Sequence, residues 1–249
     1  MGSIISAEQS KKFHEEGYFV LEGALDKGLV ELGRQCCDLG LAALGDRARQ
    51  VRDGTPQAER LHPNFVKLPH QAYPALDRFI FASILRDICR TTLGDEAYLY
   101  YDQFVVKQAR VGGPLSWHQD SDYVGFPHKP YVNCWCPLDD VNEENGTVWM
   151  LTYERAGTRA LRPVPWDSEG RSTFRINDPG TPIVARAGSI LVFSSLIIHR
   201  SGPNTTDWPR RAYTIQFSPE PILLPKTSQP QWLARPILKG GLPVMPEGT

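Results

Sequence analysis

The sequence predicts a mainly β fold with flanking helices, built around a double-stranded β-helix (a jelly roll, cupin-like core). Three observations point there. Helical periodicity is confined to the N-terminal part, about residues 6–93. After Gly94 the chain turns to six short runs rich in Val, Ile, Tyr, Phe and Trp, with turn residues between them. Finally, the residues suited to bind a metal, His118, Asp120 and His199, lie on or just beyond such runs. Two wrapped sheets would gather them at a common mouth. A length of 249 residues suits a single domain with a sizeable core, read as helices over about 6–93, a jelly roll over about 97–219 and an irregular coil tail over 220–249.

Ser6, with Gln9 three residues on, has the form of a capping box; Phe13 supplies an apolar contact, and Gly17 stops the helix before the strand-like Tyr18-Phe19-Val20-Leu21. Asp26 precedes a second helix whose stripe is Leu29, Leu32, Cys36, Leu39 and Ala43, ending at Gly45. The polar, Pro-punctuated stretch 47–74, with His62 and His70, reads as a loop bordering the site. Leu76, Ile80, Ile84 and Ile88 restore helical spacing over 75–92. The strand runs are YLYYDQFVVKQ, the segment 115–120, YVNCWCPL, TVWML, SILVFS and RRAYTIQF.

Composition limits the function. Hydrophobic residues make up 41% and charged residues 22%, ordinary for a globular chain. The formal net charge of −1, with no basic run beyond Arg210-Arg211, offers no general attraction to nucleic acid. The cysteines Cys36, Cys37, Cys89, Cys134 and Cys136 contain no C-x-x-C pair and read as reduced, buried thiols, with Cys134 and Cys136 packing opposite Trp135. The chain opens without a signal-peptide pattern, and no apolar stretch reaches spanning length. A soluble, cytoplasmic protein without a membrane partner is therefore expected. The oligomeric state is left open, a homodimer included.

In a strand, alternate side chains share a face, so His118 and Asp120 point one way while Gln119 points the other. His199 follows the apolar run GSILVFSSLII, which reads as a buried strand carrying a third ligand across the sheet. Two imidazoles and one carboxylate on one face of a metal are the ligand set of non-haem Fe(II) oxygenases.

From about Ser6 to Pro219 the chain resembles the phytanoyl-CoA hydroxylase-like (PhyH) family of Fe(II)/2-oxoglutarate dioxygenases. The resemblance rests on WHQDSDY, WCPLDDVNEENGTVWML, AGSILVFSSLIIHRSGPN and RRAYTIQF. It implies Fe(II) as the metal, with 2-oxoglutarate and O2 as co-substrates. It further implies that Arg210 pairs with the distal carboxylate of 2-oxoglutarate, a task suited to the planar guanidinium. Ser201 would add a hydroxyl and Trp135 would lie near the co-substrate, with Gln103 and Thr147 as further candidates for the pocket. The chain departs from the family where a Pro-Gly-Ser-His turn is common and Thr152-Tyr153-Glu154-Arg155 stands instead, so that loop carries no inference about substrate.

The implied activity is oxidation of a small organic molecule, hydroxylation first, with release of succinate and CO2. A tailoring step in specialised metabolism is the expected setting. The same ligands serve desaturation, epoxidation or ring formation, and Asp120 argues against a halide-binding variant. Two other classes stay open: a non-oxidative cupin-type metalloenzyme, which has no use for Arg210, and a non-catalytic ligand-binding protein. If Arg210 faces the cavity, Gln216 shares its side of the strand, while Tyr213, Ile215 and Phe217 take the other. Tyr123 and Phe126 are candidates for a substrate wall; His128 reads first as an exposed loop histidine and second as an acid/base group near the site.

Overall fold

The computed structural model describes residues 4–50, 65–162 and 176–245. Helix α1 (Ala7–Glu16) begins at the expected capping box: the Gln9 amide donates to Ser6 Oγ and the Ser6 amide to Gln9 Oε1. It ends at Gly17, in the left-handed region with φ 97°. A Cβ there would press on Ile197 and Tyr153 as well. Strand β1 (Tyr18–Leu21) follows directly, and then α2 (Lys27–Gln50), which runs beyond Gly45.

The buried face of α2 differs from the predicted stripe, for Leu39 is 57% exposed. The side turned to the sheet carries Val30, Gly33, Cys36, Cys37 and Gly40. A Cβ on Gly33 would come within 2.8 Å of Leu138 Cδ2, and one on Gly40 within 2.7 Å of Val66 Cγ1. The glycines let the helix lie close on the sheet, and glycine contributes nothing to a count of apolar side chains. Residues 51–64, with His62, lie outside the described residues. The remainder of the predicted loop is ordered into β2 (Phe65–Lys67) and α3 (Pro69–Ala72). Residues 75–92 form two helices, α4 (Asp77–Ile80) and α5 (Ser83–Leu93), with Leu76, Ile80, Ile84 and Ile88 all buried as spaced.

The β part comprises β3 (Ala97–Lys107), β4 (Leu115–His118), β5 (Val132–Pro137), β6 (Val148–Met150), β7 (Thr181–Pro182), β8 (Ile190–Ser194), β9 (His199–Ser201), β10 (Arg210–Ser218), β11 (Arg235–Lys239) and β12 (Leu242–Pro243). A short helix, α6 (Tyr153–Ala156), follows β6 where the family-type turn is missing. All pairings are antiparallel. The larger sheet runs β1-β8-β5-β10-β3-β11-β12, with β2 also on β3; the smaller runs β4-β9-β6-β7. This is the jelly-roll arrangement expected, a curled sheet facing a smaller one.

The outer face of the large sheet buries Phe104, Cys134, Cys136, Tyr213, Ile215 and Phe217 under the helices. Its inner face sets Trp135, Leu191, Phe193 and Ala212 against Val148 and Met150 of the small sheet. Cys134 and Cys136 are packing residues opposite Trp135, as read from the alternation.

Two expectations need correction. The run before His199 is not one strand: β8 ends at Ser194, the chain turns, and His199 opens β9 in the other sheet. Only that turn carries the chain from the large sheet to a position opposite His118 on the small one. The tail is not coil throughout either, since β11 pairs with β3 and extends the large sheet. Backbone pairing needs no apolar side-chain pattern, so a Pro- and Gly-rich stretch concealed it. Among the described residues no helix is long and apolar enough to cross a membrane.

Candidate metal and co-substrate site

His118 closes β4 directly opposite His199 in β9. Extended Gln119 then turns its buried side chain away from the imidazoles, donating to the Leu196 and Ala160 carbonyls and accepting from the Arg162 amide. Asp120 opens a 3-10 turn that is tied to the 194–197 turn: the Ser121 amide donates to the Ser195 carbonyl at 3.0 Å, and the Ser121 hydroxyl to Ser195 Oγ at 2.8 Å. Two turns locked together thus hold the carboxylate between the imidazoles. Asp120 Oδ1 lies 3.5 Å from His118 Nε2 and 3.6 Å from His199 Nε2.

Each imidazole is oriented by a backbone carbonyl. His118 Nδ1 meets the Ser116 carbonyl at 2.7 Å and His199 Nδ1 the Ile197 carbonyl at 3.2 Å. A carbonyl can only accept, so each Nδ1 donates and a neutral ring leaves the Nε2 lone pair free on the Asp120 side. Ligand atoms of all three residues lie within 4.8 Å of one another. Burial and then the His118 charge bring the His199 pKa to about 4, so it is neutral at pH 7. Burial pushes His118 down too, but the hydrogen bond and charge of Asp120 outweigh it and the net shift is upward. Burial opposes ionisation of Asp120, yet the two histidines hold its pKa below the ordinary carboxylate range. One carboxylate and a free imidazole nitrogen, with a second that gives up its proton to a metal, fit a divalent cation.

The triad lines a cavity of about 520 Å³ shared with Arg210, Ser201, Trp135 and Gln103. Arg210 is 1% exposed. Its Nη1 and Nη2 donate to the Val105 and Gly146 carbonyls, while its Nε has no hydrogen-bond partner, nor has the buried Ser201 hydroxyl. The guanidinium lies over the Trp135 ring, 5.5 Å from its centroid. Burial lowers the Arg210 pKa to about 10, so the group stays charged at neutral pH. Gly146 accepts from it in a backbone conformation of φ 82°, where a Cβ would also clash with Lys107 and the Gly202 carbonyl. This is the local reason for the Asn-Gly pair.

The other predicted residues divide. Tyr123 lines the cavity with its ring 5.7 Å from that of His118, and Gln216 lines it with its amide on Asn133. Thr147 does not reach it: its hydroxyl donates to the Ile183 carbonyl across the small sheet. Phe126 packs into an aromatic cluster with Tyr100 and Tyr131. His128 hydrogen-bonds Ser121 Oγ at 3.1 Å and so braces the turn bearing Asp120. Sequence reasoning missed Lys67, Tyr100, Tyr101, Thr214 and Trp232, all of which line the cavity. Thr214 shares the Arg210 face of β10 and was legible; Lys67 comes from the stretch 47–74 that was expected to border the site, though not singled out within it, and Trp232 from a tail that gave no signal.

Residues 13–212 match the model of the phytanoyl-CoA dioxygenase (PhyH) family. The chain belongs to this family. Family members and structural neighbours are 2-oxoglutarate-dependent non-haem iron dioxygenases. The phytanoyl-CoA dioxygenase domain-containing protein 1 of Mus musculus is 28% identical over 123 residues, 46% of this chain and 42% of that protein. The chain spans about half the length of the first curated relatives it matches. The ectoine dioxygenase of Bordetella bronchiseptica is 24% identical over 231 residues, 83% of this chain and 73% of that one. In fold, the chain is similar to EctD from S. alaskensis, crystallised with 2-oxoglutarate and 5-hydroxyectoine, at TM-score 0.73, 21% identity, and coverage of 97% and 86%. It is similar also to the carbocyclase SnoK from nogalamycin biosynthesis, at TM-score 0.66, 17% identity, and coverage of 96% and 88%.

Proposed function

We propose that this chain is an Fe(II)- and 2-oxoglutarate-dependent dioxygenase that hydroxylates a small organic molecule. The observation that carries the reading is Arg210: a guanidinium sealed in the triad's cavity, its hydrogen bonds going only to carbonyls, with an idle Nε and an idle Ser201 hydroxyl beside it. A buried cation without an anion is costly, and a carboxylate arriving there removes that cost. A non-oxidative metal enzyme would leave Arg210 without a task.

His118, Asp120 and His199 would hold Fe(II). Arg210 and Ser201 would hold the distal carboxylate of 2-oxoglutarate, with Trp135 as a flat wall. Lys67 adds a second cation to the same lining, suiting a dianionic co-substrate. The chemistry supplied by bound Fe(II), 2-oxoglutarate and O2 is oxidative decarboxylation to succinate and CO2 coupled to oxygenation of a substrate carbon. The chain's own work is to fix the co-substrate at its far end, orient the ligands through their carbonyl-bound Nδ1 atoms, and line the remaining space with aromatic rings that exclude water. A volume of about 520 Å³ falls within the range of small-molecule sites.

Anaerobic titration of the protein with Fe(II) and 2-oxoglutarate tests this through the visible charge-transfer band of the chelate. The wild type is expected to show the band, and Arg210→Ala to need about a hundredfold more 2-oxoglutarate, the effect of losing charged hydrogen bonds worth roughly 3 kcal/mol. A folded, iron-loaded wild type without the band would overturn the assignment.

A further inference from the structure

We propose that Trp232 and Tyr101 form one wall, and Tyr123 the other, of a subsite that takes an uncharged, ring-bearing apolar substrate. This rests on the dioxygenase reading for the word substrate. It stands on the placement of the C-terminal strap for everything else.

Residues 219–234 join β10 to β11 and bring Trp232 into the cavity lining, and hydrogen bonds pin the neighbours of Trp232. The Tyr100 hydroxyl donates to Gln231 Oε1 at 2.6 Å, Gln231 Nε2 donates to the Val124 carbonyl at 3.1 Å, and the Leu233 amide donates to the Tyr100 carbonyl at 3.1 Å. Between these anchors the Trp232 indole leans on Tyr101, ring centroids 5.1 Å apart, and stays 47% exposed inside the cavity lining. A large apolar ring held at both flanks with half its surface in water has apolar area left to bury.

A bulge explains why two consecutive tyrosines serve this wall. The pairing of β10 with β3 slips between Gln216 and Phe217, so that Gln216 faces Tyr101 and Phe217 faces Leu99, leaving Tyr100 as the extra residue. Before the slip Gln103 and Tyr101 face the cavity; beyond it Leu99 is back in the core, while Tyr100 reaches out to the strap.

The same register separates this wall from the co-substrate. Phe193, Asn133, Gln216 and Tyr101 lie abreast on four neighbouring strands, and the Phe193 ring is 4.9 Å from that of His199. Tyr101 opposes Gln216, six residues along β10 from Arg210, so the aromatic wall and the guanidinium lie towards opposite ends of the cavity lining. A short diacid anchored on Arg210 and reaching the triad ends before the aromatic wall. What meets Trp232 is a different molecule. Tyr123, 59% exposed and next to His118, faces the same space and would place a carbon of that molecule beside the metal position.

The chemistry of the occupant follows from the lining. Tyr101, Tyr123 and Trp232 offer flat faces and no charge. Such faces also attract cations, but Lys67 on the same lining repels them. A rigid ring gains stacking on flat walls without the rotamer entropy that an alkyl chain loses.

Binding of 2-naphthol, 1-octanol and tetraethylammonium, measured by calorimetry with and without Fe(II) and 2-oxoglutarate under anaerobic conditions, tests the subsite. The wild type is expected to bind 2-naphthol most tightly. Trp232→Ala should weaken 2-naphthol about fivefold to tenfold, the scale of one lost aromatic contact. It should leave 1-octanol within twofold and the 2-oxoglutarate chelate band unchanged, while Trp232→Phe restores most of the loss. Equal 2-naphthol affinity in wild type and Trp232→Ala, or tighter binding of 1-octanol or tetraethylammonium, would overturn the proposal. A missing chelate band in the wild type would instead strike the co-substrate assignment, and is read independently of 2-naphthol.

Discussion

Arg210 and Arg211 are neighbours on β10 with opposite surroundings. Arg211, on the outer side, donates to Asp139 and to Asp38, and the Asp139 hydrogen bond leads the causes that raise its pKa. Arg210, on the inner side, has carbonyls, a tryptophan face and an unpaired Nε, and burial lowers its pKa. The contrast extends along the strand: Tyr213, Ile215 and Phe217 build the core under the helices, while Thr214 and Gln216 line the cavity. One alternating segment therefore divides its residues between holding the fold and lining the cavity, and the arginine without a carboxylate marks which side does which.

Breaking the inner side should cost binding and spare folding. Arg210→Ala, which is expected to lose about a hundredfold in 2-oxoglutarate affinity, should melt within a few degrees of the wild type, because no buried ion pair is lost. Breaking the outer side should do the reverse. Ile215→Ala removes a fully buried side chain and is expected to cost about 2–5 kcal/mol in denaturant unfolding. Its folded fraction should bind 2-oxoglutarate as the wild type does; a specific loss of affinity would show that the two faces are coupled.

A pH series sharpens the comparison at the end of the strand. Lys107 lies opposite Arg210 and is 4% exposed; burial first and the Arg210 charge second bring its pKa to about 7. Unfolded, it would titrate near 10.5. Between these values the unfolded chain keeps a proton that the folded chain has released, so this lysine adds stability as pH rises from about 7 to 10.5 and withholds it below 7. Buried thiols titrate in the opposite sense, so the quantity to follow is the difference between wild type and Lys107→Met. That difference should move in favour of the wild type across the window, and a flat difference would show that the ammonium is fully compensated where it lies. The smallest effect is expected for Arg211→Ala: about 1 kcal/mol of stability for a partly exposed ion pair, with co-substrate affinity unchanged.

What was legible in the sequence was local. Alternation along RRAYTIQF assigned the side chains from Arg210 to Phe217 to their faces, the H-x-D spacing put His118 and Asp120 on one side, and the capping box and Gly17 set α1 within its ends. Each depends on bonds between residues a few positions apart, so spacing carries the information. Thr147 shows the limit of a carried-over role, for its hydroxyl is taken by Ile183, a partner that appears only when β6 meets the segment after β7.

The sequence by itself determined the jelly-roll class, the His118, Asp120 and His199 cluster and the family resemblance that singled out Arg210, because alternation and motif spacing are local properties of the chain. Only the tertiary structure decided what closes the cavity. The turn that carries His199 into the second sheet, the glycine face that lets α2 lie on β2, the bulge at Tyr100 and the strap that brings Trp232 over Tyr101 all depend on pairing between distant segments. Backbone hydrogen bonds drive such pairing, every residue but proline offers the same donor and acceptor, and side-chain pattern therefore leaves no record of it.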